Sequence, residues 1–402
     1  MTYKKYKLED ICEFIKNGKS VQQTKDQKGL PITRIETIAN SVIDPAKVGY
    51  ANLALEGNES YLLKNGDILF SHINSVEHLF KTAKYNGVPE QLIHGMNLLC
   101  LRPNVKLIDP QYFLHLLRSD KVKRGLLTYA NKSVNQASIS ATSVKNFEVD
   151  IPSLEEQRRI TSILDKADDI CQKCQQAIAK LDELLQATFI DMFGDPLENP
   201  KNFPIKKLSE FYIDPKNGTK CGPFGSALKR EEYTDSGIPV WSMDVLSLKG
   251  EFHDQPSLWI SDKKYSELET YAVIEGDILI SRAGTVGKMG VVRSRFEKSI
   301  ISTNLIRLRF GNQLLSDYFV SLMTFCKTRL PRLKTGADGA FTHMNTGILD
   351  NLEFPYPPIE IQNEYLKIYT HIHKQKEALL KSESKFDYLF NALQQKAFNG
   401  TL

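Results

Sequence analysis

Hydrophobic residues of this chain follow two patterns, and each pattern occurs twice. Short apolar runs bounded by Gly, Pro, Asn and Asp, such as those at 67–70 and 276–280, predict strands of mixed globular regions. Helical spacing at 110–123 and 317–327 predicts a helix within each region. Each region then ends in a proline-led turn that precedes a long run of helical periodicity. The pattern therefore predicts two globular regions, each followed by a long helix.

The long runs have the alternating steps of four and three that define a coiled-coil seam. Each run covers roughly 35–40 residues, or about 50–60 Å of helix at 1.5 Å per residue. Lys376 and Glu383 interrupt the second stripe. Because neither stripe would be stable alone in water, we expect the two helices to pair with each other, antiparallel. The seam residues are Ile160, Leu164, Cys171, Ile178, Leu181, Leu185, Tyr369, Ile372, Leu379, Phe386 and Phe390.

The two halves also repeat in sequence. The letters GDIL occur at 66–69 and again at 276–279, and LEEQ at 154–157 corresponds to IEIQ at 359–362. From the glutamine that ends each of the latter motifs, the copies stay 205 positions apart through the helices. We predict a first domain at 1–151, a first helix at 152–195, a second domain at 196–356 and a second helix at 357–402.

Length and composition limit the class of protein. A chain of 402 residues exceeds the usual size of one hydrophobic core. No apolar run is long enough to span a bilayer, and the first residues lack a signal-peptide core. The six cysteines are irregularly spaced and give no disulfide framework, which favours a reducing compartment. We therefore expect a cytoplasmic protein with no membrane association.

The net charge of +4 is distributed unevenly along the chain. Residues 1–150 carry 20 basic and 15 acidic side chains, and residues 196–352 carry 21 and 18. The first helical block, 151–195, is acidic, with 5 basic and 9 acidic side chains. A basic excess in both globular regions is compatible with a polyanionic partner.

The sequence contains no motif typical of a catalytic site. Cys171 and Cys174 form a lone CxxC in which both cysteines occupy seam positions, so we assign them to the core. The Gly-rich loop from Arg282 to Lys288 lacks the spacing and the hydroxyl residue of a phosphate-binding loop. This loop fits either a close approach to a DNA backbone or a tight turn with solvated charges. No metal site or enzyme activity is expected.

Basic and amide side chains cluster at matching places in the two copies. Lys and Arg neutralise phosphates, whereas Asn, Gln and Arg read base edges. The candidate DNA-binding residues are Lys19, His72, Asn74, Lys121, Lys123, Arg124, Lys132, Asn135, Gln136, Lys220, Lys229, Arg230, Arg282, Lys288, Arg293, Arg329, Arg332, Lys334, His343 and Asn345. The aligned residues differ between the copies. For example, Ser71-His72 in the first copy corresponds to Ser281-Arg282 in the second. Two different half-sites would require such differences, and neutral drift of loops is the alternative.

These motifs resemble those of the DNA-specificity subunits of type I restriction–modification enzymes. The resemblance covers essentially the whole chain. It rests on the two GDIL segments, the junctions IPSLEEQRRI and YPPIEIQNEY, the helix end LLQATFIDMFGDP and the loop GTVGKMGVV. The paired junctions, each leading into a long helix, are the specific part of this signature.

The resemblance implies an α+β fold, with two similar target-recognition domains separated by helices that form an antiparallel coiled coil with pseudo-twofold symmetry. Each domain would read one half of a split, asymmetric target in double-stranded DNA. The helices would set the spacing and hold two methyltransferase subunits. S-adenosylmethionine, ATP and Mg²⁺ would then belong to the methyltransferase and to the restriction and translocase subunits, with no cofactor in this chain.

The second copy departs from the first at its helix junction, where Ile361 replaces Glu156. Partner docking on the second helix is therefore expected to differ. Two other classes of function stay open at this point. A coiled-coil adaptor with protein-binding heads predicts no DNA retention at low salt. A fused methyltransferase predicts methyl transfer by the purified chain, and the missing cofactor motifs argue against it.

Overall fold

The computed structural model describes residues 3–24, 26–133, 136–224, 227–282, 287–326 and 344–402. The chain forms two compact units. Unit 1 consists of Met1–Gln176 and Leu380–Leu402, and unit 2 consists of Ala177–Leu379. Each unit therefore contains one globular domain together with part of each long helix.

The globular domain of unit 1 is built mainly from short strands. Its strands are Lys4–Lys7, Cys12–Asn17, Gln23–Thr24, Leu30–Ile32, Gly49–Ala51, Ile68–Ser71, Ile73–Asn74, Thr82–Lys84, Leu98–Pro103, Asn131–Lys132, Ala137–Ser138 and Glu148–Ile151. Its helices are Pro110–Arg118, Asp120–Leu127 and Ala141–Lys145. The continuous helix predicted at 110–123 is wrong. Ser119 adopts an extended backbone and its side chain accepts a hydrogen bond from Val122, so the chain starts a new helix there.

The globular domain of unit 2 has the same character. Its strands are Ile205–Lys207, Thr219–Cys221, Ile238–Trp241, Leu258–Ile260, Ile278–Ser281, Met289–Val291, Ile300–Ile301, Leu305–Leu308 and Glu353–Pro355. Its helices are Asp262–Glu267, Ser316–Cys326 and Thr346–Asp350. The helix predicted at 317–327 and the strand predicted at 276–280 are thus present, as Ser316–Cys326 and Ile278–Ser281.

Each domain is organised around a four-stranded antiparallel sheet with the same strand order. In unit 1 the order is 12–17, 98–103, 68–71 and 82–84, and in unit 2 it is 219–221, 305–308, 278–281 and 289–291. The second strand of each sheet is buried at nearly every position, as expected where both faces are covered. The sequence repeat therefore corresponds to a repeat of topology.

The GDIL motif fixes the entry into the third strand of each sheet. Gly66 and Gly276 have positive φ of 95° and 88°, a conformation that residues with a Cβ rarely adopt. The aspartate that follows is 1% exposed and receives two hydrogen bonds from a neighbouring arginine. These pairs are Asp67 with Arg102, at 2.8 and 2.7 Å, and Asp277 with Arg309, at the same distances.

The two long helices are Leu154–Phe193 and Ile359–Asn399. We call them the first and the second long helix. The first ends where Gly194 takes a positive φ, as its sequence predicts. In unit 1, Ile160 and Leu164 near the start of the first helix share a core with Phe398 at the end of the second. In unit 2, Phe193 at the end of the first packs edge-on against Tyr365, near the start of the second. The helices therefore run antiparallel, which confirms the predicted fold class.

The glutamine of each repeated junction fastens a long helix to its own domain. Gln157 and Gln362 are both fully buried. The amide of Gln157 accepts from the Asp109 backbone and donates to the carbonyls of Leu107 and Pro152. Gln362 makes the same three bonds, to 315, 313 and 357. An apolar substitute would leave these buried backbone groups unpaired.

Burial varies along the seam. Ile160, Leu164, Cys171 and Ile372 are buried. The other predicted seam positions are half-buried. They are Ile178, Leu181, Leu185, Tyr369, Leu379, Phe386 and Phe390. Cys174 is also buried, so the assignment of the CxxC pair to the core is confirmed.

Candidate nucleic-acid interface

Loops gather at the same end of the central sheet in both units. In unit 1 this end is formed by Gly18 after the first strand and Ser71 at the end of the third. Gly222 and Ser281 take the same places in unit 2. A methyl group on Gly18 would overlap the Gly95 carbonyl, and one on Gly222 would overlap the Ser302 carbonyl. Both glycines thus permit a close backbone approach that side chains would prevent.

Unit 1 has an open cleft of about 610 Å³ at this sheet end. The residues that line it are Lys19, Ser20, Val21, Gln23, Thr33, Arg34, Ile35, Glu36, Ile38, Ala39, Ser71, Asn74, His78, Lys81, Gly95, Met96, Asn97 and Leu98. Three of them are basic and one is acidic, so the cleft favours a negatively charged ligand. The amides of Gln23, Asn74 and Asn97 supply both donors and acceptors.

Two of the basic residues in the cleft are held by neighbouring groups. The Arg34 guanidinium donates to Gln23 Oε1 at 3.0 Å and to the Thr24 carbonyl at 3.2 Å. Lys81 donates to the Ala39 carbonyl at 2.5 Å. Lys19 is less constrained, with its ammonium 5.2 Å from the centre of the Tyr61 ring. Lys19 is therefore the basic group most able to reach an added ligand.

Lys81 also lines a neighbouring groove of about 340 Å³. Arg118, Lys123 and Arg124 line the same groove, so basic side chains continue from the cleft onto the helix 120–127. Burial lowers the pKa of Lys123 below its ordinary value. We call this set the basic track of unit 1, and it consists of Lys19, Arg34, Lys81, Arg118, Lys123 and Arg124.

Other predicted residues of unit 1 lie beside the cleft or away from it. Asn74 belongs to a three-stranded sheet with the hairpin that carries the exposed Lys132 and Gln136. Lys121 instead bonds to Asp150 and to the Phe398 carbonyl at the end of the second long helix. Asn135 lies outside the described residues.

His72 requires a correction. Its side chain is 6% exposed, and burial lowers its pKa, so it is a neutral part of the domain interior. It follows a buried strand, and its backbone carbonyl accepts a hydrogen bond from the Ile139 N–H. The surface of the cleft at this place is formed by Ser71 and Asn74 instead.

Unit 2 carries an arginine on an aromatic ring at the equivalent place. The Arg282 guanidinium lies 4.6 Å from the centre of the Phe224 ring, and Phe224 is 55% exposed. The Arg282 backbone donates to Asn304 at 3.0 Å and accepts from Met344 at 3.2 Å. Lys288 is tied to the same strand end through its N–H, which donates to Ser281 Oγ at 2.9 Å. This surface combines positive charge with an exposed ring.

The remaining predicted residues of unit 2 have varied surroundings. Lys229 and Arg230 are exposed, and the Lys220 ammonium lies 5.2 Å from the Tyr271 ring. Arg293 is paired with Glu275 and Asp317, which occupies its guanidinium. The Asn345 side chain caps the helix 346–350. The residues that lie outside the described ranges are Arg329, Arg332, Lys334 and His343.

Several members of these surfaces were not found from the sequence. They include Gln23, Arg34, Lys81, Asn97 and Phe224, which are distant in sequence from the repeated motifs. One usable signal was present, because Gly18 and Gly222 occur at corresponding positions of the repeat. Aligning these glycines would have drawn attention to the residues that follow each of them.

The long helices carry a repeated exposed position. Leu184 and Leu389 are 205 residues apart, and their side chains are 51% and 52% exposed. Each lies on a different long helix and belongs to a different unit. The two long helices thus present the same apolar side chain at equivalent exposed positions.

The described ranges contain no group of three or more His, Cys, Asp or Glu side chains arranged to hold a metal ion. Within the same ranges, no helix combines the length and apolar character that a bilayer crossing requires.

Comparison with known proteins identifies the family. The model of the type I restriction modification DNA specificity domain matches residues 1–183 and 222–386. A Methanocaldococcus jannaschii protein named as the MjaX type I restriction enzyme specificity subunit is 33% identical, covering 94% of this chain and 90% of its own length. The StySPI specificity subunit of Salmonella potsdam is 21% identical over 93% of this chain and 82% of its own.

Solved structures with low sequence identity share the fold. The type I restriction–modification system S subunit from M. genitalium superposes with a TM-score of 0.59 at 15% identity, covering 99% of this chain and 96% of its own. A chain from a structural study of type I R-M complex assembly and conformational transition superposes with a TM-score of 0.57 at 17% identity, covering 100% of this chain and 98% of its own. The sequence matches extend over most of the chain, and this protein therefore belongs to the type I restriction–modification DNA specificity family.

Proposed function

We propose that this chain is the DNA-recognition subunit of a type I restriction–modification complex. Each unit reads one half of a bipartite, asymmetric target in double-stranded DNA. The observation that carries the proposal is the repeated sheet end, where Gly18 and Gly222 hold equivalent loops beside different side chains. A repeated frame with different surface groups is what recognition of two unlike half-sites requires.

The basic track supports contact between unit 1 and a DNA backbone. Its lysines and arginines extend from the cleft to the neighbouring groove, with Lys81 in both. Side chains in such a line neutralise successive phosphates and release counterions, which gives salt-dependent affinity. The amides of Asn74 and Asn97 lie in the same cleft and match the edges of bases. Phosphate contacts would set the register, and the amides would contribute sequence preference.

The antiparallel helices support a constant distance between the two half-sites. Each helix is fastened to one domain by its buried glutamine, Gln157 or Gln362. A rigid helix converts residue number into distance at about 1.5 Å per residue. The helices would therefore act as a spacer between the recognised half-sites.

The exposed leucines support the docking of two copies of one partner. Leu184 and Leu389 present the same apolar group at equivalent positions. In the proposed complex these partners are two methyltransferase subunits, joined by restriction and translocase subunits. S-adenosylmethionine, ATP and Mg²⁺ would be bound by those subunits in the cytoplasm, while this chain recognises DNA without catalysing a reaction.

The experiment that tests the proposal is selection from random-sequence duplex DNA by the full chain in complex with its methyltransferase partner. The expected result is a bipartite consensus with two different halves and one fixed gap. Selection of no consensus, or of a single uninterrupted site, would contradict the proposal.

A pair of lysine variants tests the role of the cleft in the same complex. Lys19→Ala should weaken binding to all sequences and reduce the slope of log affinity against log salt by about 1. Lys5→Ala is the matched control, because Lys5 is an exposed lysine of unit 1 paired with Glu148 outside the cleft. Equal effects of the two substitutions would remove the cleft from the interface.

A further inference from the structure

We propose that Arg282, supported by the Phe224 ring, reads a guanine in the half-site bound by unit 2. This inference rests on the proposed function and assigns one base class to one side chain. It is carried by the position of Arg282 in the sheet, the stacking of its guanidinium and an unpaired N–H group.

The backbone at Arg282 is fixed on both sides. It directly follows Ser281, which is fully buried at the end of a central strand. Its N–H donates to the Asn304 carbonyl, and its carbonyl accepts from Met344. A side chain that starts from such a fixed point reaches a defined place, which base recognition requires.

The Phe224 ring fixes the plane of the guanidinium. The distance of 4.6 Å to the ring centre is within the range of a cation–π contact. Phe224 directly follows the Gly222-Pro223 pair, and its carbonyl accepts from Ala227, so the ring is itself anchored. The N–H groups lie in the plane of the guanidinium and are therefore not taken up by stacking on the ring. Because the group is already oriented, little entropy is lost when it binds.

One nitrogen of the Arg282 guanidinium, Nη1, is buried and has no hydrogen-bond partner among the described residues. Two other arginines of unit 2 have carboxylate partners, Arg293 with Glu275 and Asp317, and Arg309 with Asp277. A dry, unpaired N–H on a charged group is costly. An acceptor supplied by a ligand would remove that cost.

Guanine has the matching pair of acceptors. Its O6 and N7 lie side by side in the major groove and accept two parallel bonds from one arginine. A phosphate offers a similar pair of oxygens. The exposed face of Phe224 favours the base, because an aromatic ring solvates a phosphate poorly and packs well against base edges. The counterpart of Arg282 in unit 1 is the buried His72, so only the half-site of unit 2 should contain this guanine.

The first experiment compares the selected consensus of the wild-type complex with that of two variants. Arg282→Lys should reduce discrimination for guanine at one position by roughly 5- to 150-fold, because lysine cannot make the paired bonds. Arg282→Gln should shift preference at that position towards adenine, whose N6 and N7 suit an amide. The other half-site and the gap should not change, which also shows that the variant is folded. Arg295→Lys is the matched control, because Arg295 is an exposed arginine of the same unit that also lies over an aromatic ring, Phe296, and is paired with Asp254.

The second experiment uses the selected site with 7-deazaguanine at the assigned position. Removal of N7 should weaken binding by the wild-type complex roughly 5- to 10-fold and cause no further loss with Arg282→Lys. Phe224→Leu should reproduce part of the effect of Arg282→Lys.

Two results would overturn the inference while leaving the proposed function intact. One is an unchanged consensus for Arg282→Lys and Arg282→Gln. The other is weaker binding to every sequence with a salt slope reduced by about 1, which would identify a phosphate contact. A wild-type complex that selects no bipartite site would instead refute the proposed function itself.

Discussion

The seam of the long helices holds different groups at one repeated position. Cys171 in unit 1 and Lys376 in unit 2 are 205 residues apart, and so are the aspartates beside them, Asp387 and Asp182. Both seam residues are buried. The same backbone frame thus accommodates a thiol next to a carboxylate in one unit and an ion pair in the other.

The difference extends from the helices into the domain of unit 2. The Lys376 ammonium lies 2.8 Å from Asp182 and 3.0 Å from Glu251, which belongs to the globular domain. Lys249 adds a second bond to Asp182 at 3.1 Å. In unit 1, burial raises the pKa of the Cys171 thiol, and the neighbouring Asp387 raises it further, so Cys171 stays neutral. Repetition of a frame therefore does not require repetition of its interactions.

The largest expected effects concern what the two units share. Asp67→Asn and Asp277→Asn each leave a mostly buried arginine without its carboxylate. We expect each to destabilise its own unit by about 3–5 kcal/mol, as for other broken buried pairs. Hydrogen exchange resolved by peptide would measure this free energy separately in each unit. Because the two pairs have the same hydrogen-bond distances, we expect similar losses in the free energy of unfolding. A much smaller loss for one of the substitutions would contradict this expectation.

A smaller effect is expected where the units differ. Lys376→Ala removes the cation between two partly buried carboxylates and should destabilise unit 2 by about 2–3 kcal/mol. This loss is smaller than that expected for a fully buried pair, because Asp182 and Glu251 retain some contact with solvent. Cys171→Ala should cost unit 1 about 1 kcal/mol, since it removes one small apolar group. Equal losses measured by hydrogen exchange would show that the ion cluster contributes nothing specific.

The pH dependence of the Lys376→Ala effect provides a further check. Burial alone would raise the pKa of Asp182 and of Glu251, but the bonds from Lys376 outweigh it, and both pKa values are lowered. Their contribution is therefore present above the ordinary carboxylate range and is lost as pH falls through the lowered values. Burial would lower the pKa of Lys376, yet Asp182 and Glu251 raise it, so its contribution is lost only at strongly alkaline pH. The stability difference between wild type and Lys376→Ala should shrink below about pH 4.

The smallest effect on stability is expected at the exposed leucines. Leu184→Asp and Leu389→Asp should each change the free energy of unfolding by less than about 0.5 kcal/mol, because both residues are half exposed. Each substitution should nevertheless reduce the number of methyltransferase subunits bound per chain from two to one. Native mass spectrometry of the complex would count them. Retention of two subunits by both variants would exclude this surface from docking.

Much of the architecture was predictable because its signals are local or repeated. Turn residues, alternating apolar positions and heptad spacing depend on neighbours along the chain. The boundaries of the long helices followed from Gly194 and from the proline-led turns. The break at Ser119 was missed because the apolar spacing continues through it, and only the extended backbone of Ser119 and its cap hydrogen bond separate the two helices.

The candidate site was predictable only in part. Lys19, Asn74, Lys123 and Arg282 were chosen from sequence, and the first three lie in the cleft and groove of unit 1. His72 was chosen for the same reasons but lies inside the domain. Charge and hydrogen-bonding capacity can be read from a residue type, whereas the direction of a side chain depends on the strands around it.

The sequence by itself determined the doubling, the antiparallel helix pair and the glycines that its turns require. These features depend on periodicity, backbone conformation and chain spacing, which are properties of short segments. Tertiary structure alone decided that Lys376 meets Glu251 across 125 positions and that Arg34 and Lys81 share a cleft with Lys19. It also decided that Arg282 rests on Phe224. Such partnerships depend on how distant segments pack, and no local pattern records them.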